Sequence, residues 1–325
     1  MQTDQHFLES KDGHRVFVRK WQPDASADTI GVIHINHGMA EHSQRYEPIA
    51  EKLTQQGYAV VAHDHRGHGH SIPQGGLVGH YGDVNGWSLV ISDVKAVNDY
   101  IQQTFPNLPI AILGHSMGSF ITQYFCIEHS HCVDAVILSG SGYTSAVALR
   151  APKMLIRLEK FRTGPKARSK LIDRQTFQSF NKQLGKTRTQ ADWLSRDTHQ
   201  VDKYLSDPLC GFLCTNQLWE DFIGGLETIS KEKNLRAINN TIPFFLISGE
   251  RDPLSFNSRK HGIERLAEHL RSSGLNDVTF KLYEGGRHEI FNELNRDEVV
   301  DELLVWINSR LKHLSSSKKP EAAIA

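Results

Sequence analysis

The chain has 325 residues, and Lys plus Arg and Asp plus Glu each total 37, so no basic excess draws it to nucleic acid and no nucleic-acid recognition motif occurs in it. No stretch has the eighteen or so uninterrupted apolar residues that span a bilayer, and Met1-Gln2-Thr3-Asp4-Gln5-His6 has neither a basic start nor an apolar core. The expectation is a soluble cytoplasmic protein with Cys126, Cys132, Cys210 and Cys214 as reduced thiols, long enough for one large α/β domain with an insertion or for two small domains.

In chain order, His6 to Glu9 and Arg15 to Trp21 flank the turn signal Asp12-Gly13 and read as a hairpin. Short β-rich apolar runs follow at Ile30 to Ile35, Tyr58 to Ala62, Ile110 to Leu113, Val133 to Leu138, Ile242 to Ile247 and Val278 to Tyr283, each bounded by Gly, Pro, Asn or Asp. Between most of them lie segments of helical spacing: Tyr46 to Gln56, Gly86 to Thr104, Ser119 to Glu128, Ser258 to Arg271 and Asp297 to Leu311. Strands alternating with helices predict an α/β protein with a mainly parallel sheet covered on both faces. Residues 144–239 break that rhythm, with helix-like pieces, Trp193 and Trp219, and no β run. They are expected to form an inserted helical cap on a core made of 1–143 and 240–313, with 314–325 as a disordered tail.

Gly114-His115-Ser116-Met117-Gly118 follows an apolar run and precedes a helical one, which reads as strand, sharp turn, helix. A serine on such a turn projects its hydroxyl from the sheet, making Ser116 the candidate nucleophile. It needs a base and an acid to orient that base. His288, in Glu284-Gly285-Gly286-Arg287-His288-Glu289, and Asp252, in Gly249-Glu250-Arg251-Asp252-Pro253, both follow predicted strands and so fall at carboxyl ends of a parallel sheet. The order Ser, Asp, His is that of α/β-hydrolases. Oxyanion stabilisation, at roughly 3 kcal/mol per donor, is expected from the backbone N–H groups of Met117 and Met39, the latter in the loop His37-Gly38-Met39-Ala40-Glu41-His42.

On these residues, with Arg45-Tyr46, Asp64-His65-Arg66-Gly67-His68-Gly69 and Asn292-Glu293, the chain resembles the monoacylglycerol lipase and lysophospholipase branch of the α/β-hydrolase superfamily, a serine aminopeptidase-like hydrolase domain, from about Phe7 to Leu311. The resemblance implies an eight-stranded core, a helical cap over an apolar acyl channel, cleavage of carboxylic esters such as monoacylglycerols or lysophospholipids, and no cofactor. It also implies that Asp64, Arg66 and His68 brace neighbouring loops. Met39 stands where relatives often have a smaller residue, and Ser119 where glycine is frequent.

Other readings compete at particular places. The same triad attacks amides, so a proline-releasing aminopeptidase is the alternative within enzymes; it calls for a carboxylate near the site to hold a substrate amine, for which Glu41 is close in sequence. A non-catalytic pocket for a small ligand is the alternative outside them. The His63 to His70 stretch has metal-ligand chemistry, and Cys210 and Cys214 lie at a ligand spacing, but loop bracing and burial in the cap account for them, and no metal is expected. The basic run Arg150, Lys153, Arg157, Lys160, Arg162, Lys166, Arg168, Lys170 and Arg174 reads as a solvated face, or, with Leu155, Leu158 and Phe161, as a contact for anionic membrane.

Overall fold

The computed structural model describes residues 1–24, 28–254 and 260–317. Its strands are β1 (Gln2–Glu9), β2 (Arg15–Gln22), β3 (Gly31–Asn36), β4 (Tyr58–His63), β5 (Ile110–His115), β6 (Ala135–Ser139), β7 (Phe244–Gly249) and β8 (Val278–Tyr283). They form one sheet in the order β1-β2-β4-β3-β5-β6-β7-β8. The β1–β2 hairpin and the β2–β4 pair are antiparallel, and every pairing from β4 through β8 is parallel.

The central strands lack polar alternation because both of their faces are covered. On β3, Val32 joins one apolar cluster, with Val90 and Val94 of α2 (Gly86–Thr104) and Ile121 and Phe125 of α3 (Met117–His129). Its neighbours Ile33 and Ile35 join the other, with Ile49 and Leu53 of α1 (Glu47–Gln55) and Val299, Leu303 and Ile307 of the last helix. Full burial of each such side chain contributes about 1.5–3 kcal/mol. The crossover connections run through these helices, so every loop at the carboxyl edge of the parallel strands meets on one rim.

Between β6 and β7 come α4 (Arg150–Thr163), α5 (Lys170–Gln175), α6 (Phe177–Phe180), α7 (Thr198–Ser206), α8 (Asn216–Ile229) and α9 (Glu232–Leu235), with no strand among the described residues. This insertion has two parts. Leu218, Trp219, Phe222 and Ile223 of α8 belong to the same apolar cluster as Trp87 and Ile121. The approach is so close that a Cβ on Gly225 would sit 2.3 Å from the Trp87 ring. Ala191, Trp193, Leu194, Val201 and Tyr204 instead form a small cluster of their own, with Phe177 and Phe180 packed on it.

One boundary differs from expectation. After α10 (Gly262–Ser272), the last helix, α11, spans Arg296–Ser317 and so continues four residues into the stretch expected as a tail; 318–325 lie outside the described residues, as does the start of the helix expected from Ser258. Helical backbone propagates past the core residue Leu311 because each added residue closes another hydrogen bond. No described helix is long and apolar enough to cross a membrane.

Candidate active site

Ser116 lies between β5 and α3 with φ 50° and ψ −120°, a conformation that is strained for any residue with a side chain. Its N–H donates to Ser139 O at 2.9 Å, and its carbonyl accepts from the N–H and hydroxyl of Ser119 at 2.9 and 2.6 Å. The flanking glycines are required for contact and not for a positive φ. A Cβ on Gly114 would meet Gly118 O at 2.5 Å, and one on Gly118 would meet Asn36 O at 2.1 Å. The turn is therefore wedged against the end of β3, and the strain falls on Ser116 itself.

Asp252 and His288 are brought together: Nδ1 of His288 is 3.0 Å from Oδ1 of Asp252, and both side chains are buried. The carboxylate also accepts from Leu254 N at 3.0 Å and from the Ser248 hydroxyl at 2.8 Å. Burial opposes its charge, but His288 and these donors hold its carboxyl below the usual range. Burial likewise opposes charge on His288, yet the Asp252 carboxylate raises the imidazole above its ordinary value. The pairing fixes the Nδ1–H tautomer and leaves Nε2 as the base.

Ser116 is held beside this pair. Gly140, directly after the Ser139 that Ser116 bonds, has φ 56°, and a Cβ there would meet His288 Cε1 at 3.0 Å. The His115 ring lies 4.8 Å from that of His288. No hydrogen bond joins Ser116 to His288 in this geometry.

The loop carrying Met39 reaches the serine at Gly38, where a Cβ would be 3.3 Å from Ser116 Cβ. Gly38 N–H is already used, donating to Glu41 Oε1 at 2.5 Å. Among the described residues, nothing accepts from the N–H of Met39 or Met117, the donors expected from the sequence. Sequence reading missed how this loop is held. Glu41 also accepts from Tyr46 OH at 2.8 Å, and Arg45 bonds Glu41 while forking onto Glu289 at 2.6 and 2.7 Å. Burial opposes the charge on Glu41, but Arg45 and neighbouring donors bring its carboxyl down to about 2. Arg45 thus ties the Met39 loop to the residue after His288, a link between positions 244 apart that no local pattern reveals.

The insertion closes over the His288 loop. His288 N–H donates to Trp193 O at 3.3 Å and Glu289 N–H to Leu194 O at 2.7 Å, while the Trp193 ring lies 5.0 Å from that of His288. Beside them is a cavity of about 140 Å³ lined by Ala40, Phe177, Trp193, Tyr204, Phe212 and Leu213 among others. It is mostly apolar, and most of its wall comes from the insertion.

The histidine-rich loop after β4 braces its neighbours. Asp64 accepts from Ser43 N and Oγ at 2.8 and 2.6 Å and from His70 N at 2.8 Å; Arg66 forks onto Asp93 and reaches Asp12. His68 Nδ1 faces Arg66 O at 3.2 Å. Burial pushes the imidazoles of His63, His65 and His68 down, and that of His68 to about 3. Cys214 is buried as expected, whereas Cys210 is only half-buried, and all four cysteines are free. Much of the basic run is internally neutralised: Lys153 pairs with Glu227, Arg157 and Lys160 with Glu220, Arg162 with Glu159, and Lys166 with Asp83.

A family model described as serine aminopeptidase, S33 (Hydrolase_4) matches residues 27–295. The chain is 32% identical over 308 residues to the monoglyceride lipase of Mus musculus, covering 94% of this chain and 89% of the relative. It is 29% identical over 312 residues to the monoacylglycerol lipase of Mycolicibacterium smegmatis, covering 94% and 98%. Its fold is similar to that of a thermostable carboxyl esterase from Bacillus coagulans, with a TM-score of 0.86 at 25% identity and coverage of 96% and 99%. A soluble variant of the Saccharomyces cerevisiae monoglyceride lipase superposes with a TM-score of 0.74 at 16% identity, covering 96% of each chain.

Proposed function

The chain belongs to the serine aminopeptidase S33 family of α/β-hydrolases, and from that premise we propose that it hydrolyses acyl esters of medium or long chain, such as a monoacylglycerol or lysophospholipid, through Ser116, His288 and Asp252. It is an ester-hydrolysing enzyme, in line with relatives named monoglyceride lipase and a structural neighbour named carboxyl esterase. The observation that carries the assignment of residues is the buried Asp252–His288 pair beside a strained Ser116.

In this mechanism Nε2 of His288 takes the Ser116 proton as Oγ attacks the ester carbonyl. The oxygen turns anionic between the N–H groups of Met39 and Met117. Collapse breaks the bond to the alcohol oxygen, which leaves with the proton from His288. Water then adds to the acyl-enzyme by the same route and releases the fatty acid. Asp252 stays ionised throughout and stabilises the imidazolium. The insertion acts as a cap, and the cavity under it receives the acyl chain.

The peptidase reading is weakened by Glu41. Its carboxylate is buried, already accepts from Gly38, Tyr46 and Arg45, and is neutralised by the Arg45 cation, so it is poorly placed to receive a substrate amine. For lipid access we infer a peripheral contact, on the cytoplasmic side of a membrane, through α4. Met154, Leu158 and Phe161 share one face of it and are 76%, 52% and 89% exposed. Because the neighbouring bases are paired, that contact is led by apolar side chains and not by charge. A panel of monoacylglycerols, lysophospholipids, p-nitrophenyl esters of rising length and aminoacyl amides, with Ser116→Ala as blank, tests the reading. Preference for long acyl esters supports it, and turnover confined to amides overturns it.

A further inference from the structure

We propose that His42, Asp207 and Cys210 form a binding site for a borderline-soft divalent cation, Zn²⁺ first of all, which ties the helical insertion to the oxyanion loop. The three come from both sides of the boundary between core and insertion. His42 is three residues beyond Met39, whereas Asp207 and Cys210 lie between α7 and α8. One ligand atom from each falls within 4.8 Å of the others. Among the described residues no other set of three His, Cys, Asp or Glu side chains converges in this way.

The donor set selects the ion. One imidazole nitrogen, one carboxylate oxygen and one thiolate sulfur match Zn²⁺ and related transition metals and exclude Mg²⁺ and Ca²⁺, which require oxygen. Zinc bonds of about 2.0–2.3 Å in a tetrahedron put ligand atoms about 3.3–3.7 Å apart. His42 Nε2 and Asp207 Oδ2 are now 2.9 Å apart in a direct contact, so admitting the ion needs only side-chain movement of a few tenths of an ångström there.

The backbone is already arranged. Asp207 Oδ1 accepts from Leu209 N at 2.8 Å, which directs Oδ2 toward His42. Cys210 N–H donates to Asp207 O at 3.0 Å, bringing the two ligands to one side of a tight turn. The next residue, Gly211, donates to Ala40 O at 2.9 Å and pins that turn to the oxyanion loop. His42 is buried, and its Nδ1 has no hydrogen-bond partner. A surface groove of about 500 Å³, lined by His42, Arg45, Glu47, Lys203, Asp207 and Pro208 among others, opens onto two of the three ligands, and the fourth coordination position is left to water.

The carboxylate and a thiolate together cancel the charge of the ion. Metal uptake breaks the Cys210 S–H bond, forms the metal–sulfur bond and releases one proton to solvent. The bound ion cross-links insertion and loop.

The test uses the full chain, freed of metal by a chelator and titrated with Co²⁺ alone. The expected result is one equivalent bound, with visible bands of tetrahedral cobalt and a near-ultraviolet thiolate charge-transfer band, all removed by one equivalent of Zn²⁺. Cys210→Ser, an isosteric change, abolishes the charge-transfer band, and Asp207→Asn weakens binding at least about tenfold. An unchanged thermal midpoint in metal-free Cys210→Ser excludes a folding defect as the cause. Absence of stoichiometric binding, or an undiminished charge-transfer band in Cys210→Ser, overturns the proposal.

Discussion

The strand-end rim and the helical insertion meet at His288, but they are built on different terms. On the rim, position is set by backbone closeness: Gly114 and Gly118 leave no room for a methyl group, Gly249 is pressed against Gly286, and Asp252 is held by three donors. In the insertion, α8 is fused to the main core, whereas the segment carrying Trp193 and Tyr204 has a small cluster of its own and meets the rim through a few hydrogen bonds and ring contacts. The lesson is a division of labour. In the proposed mechanism the chemistry rests on the tightly packed part, and the choice of acyl chain on the part with the smaller, separate cluster.

Variants can break that division. The largest effect is expected for Ser116→Ala or His288→Ala, which should lower kcat by about 10⁴–10⁶ with KM little changed; a comparable loss from a variant in the insertion would undo the distinction. Arg45→Ala leaves Glu41 and Glu289 buried without their cation and should cost about 3–5 kcal/mol of stability in denaturant unfolding. Trp193→Ala should lower kcat/KM about tenfold on long acyl esters, or about 1.4 kcal/mol, and much less on acetyl esters. If both substrates suffer alike, the ring serves His288 and not the chain. The smallest effect belongs to Met154→Ser with Phe161→Ser, a few-fold loss on vesicle-borne substrate whatever the anionic lipid content, and none on a soluble ester.

The pH profile sharpens the rim side. His288 works as a base only when neutral, and Asp252 raises its imidazole, so kcat/KM should fall as pH drops through an apparent value above 6.5. Asp252→Asn should cut kcat by about 10³–10⁴ and move that limb to lower pH. A limb that does not move would mean that another group titrates.

The sheet was legible because each central strand is an apolar run with a covered face on both sides, a demand that composition alone reveals in Val133 to Leu138 or Ile242 to Ile247. The candidates Ser116, Asp252 and His288 stood out in the sequence because each follows an apolar strand in a glycine-bearing loop. What sequence could not supply was contact between distant positions. The partners of Lys153, Arg157 and Lys160 are Glu227 and Glu220, some sixty to seventy-five residues on, so a run that reads as a charged patch is largely neutralised. Glu41, Arg45 and Glu289 became one network only through the fold. The cavity wall depends on how short helices of the insertion pack, and helical spacing does not fix that.

Covalent labelling with a fluorophosphonate, read by intact mass and by peptide mapping, tests the central claim most directly. The account predicts one adduct per chain, on Ser116, absent in Ser116→Ala and formed at least a hundredfold more slowly in His288→Ala. Labelling at another residue, or an undiminished rate in His288→Ala, would contradict it.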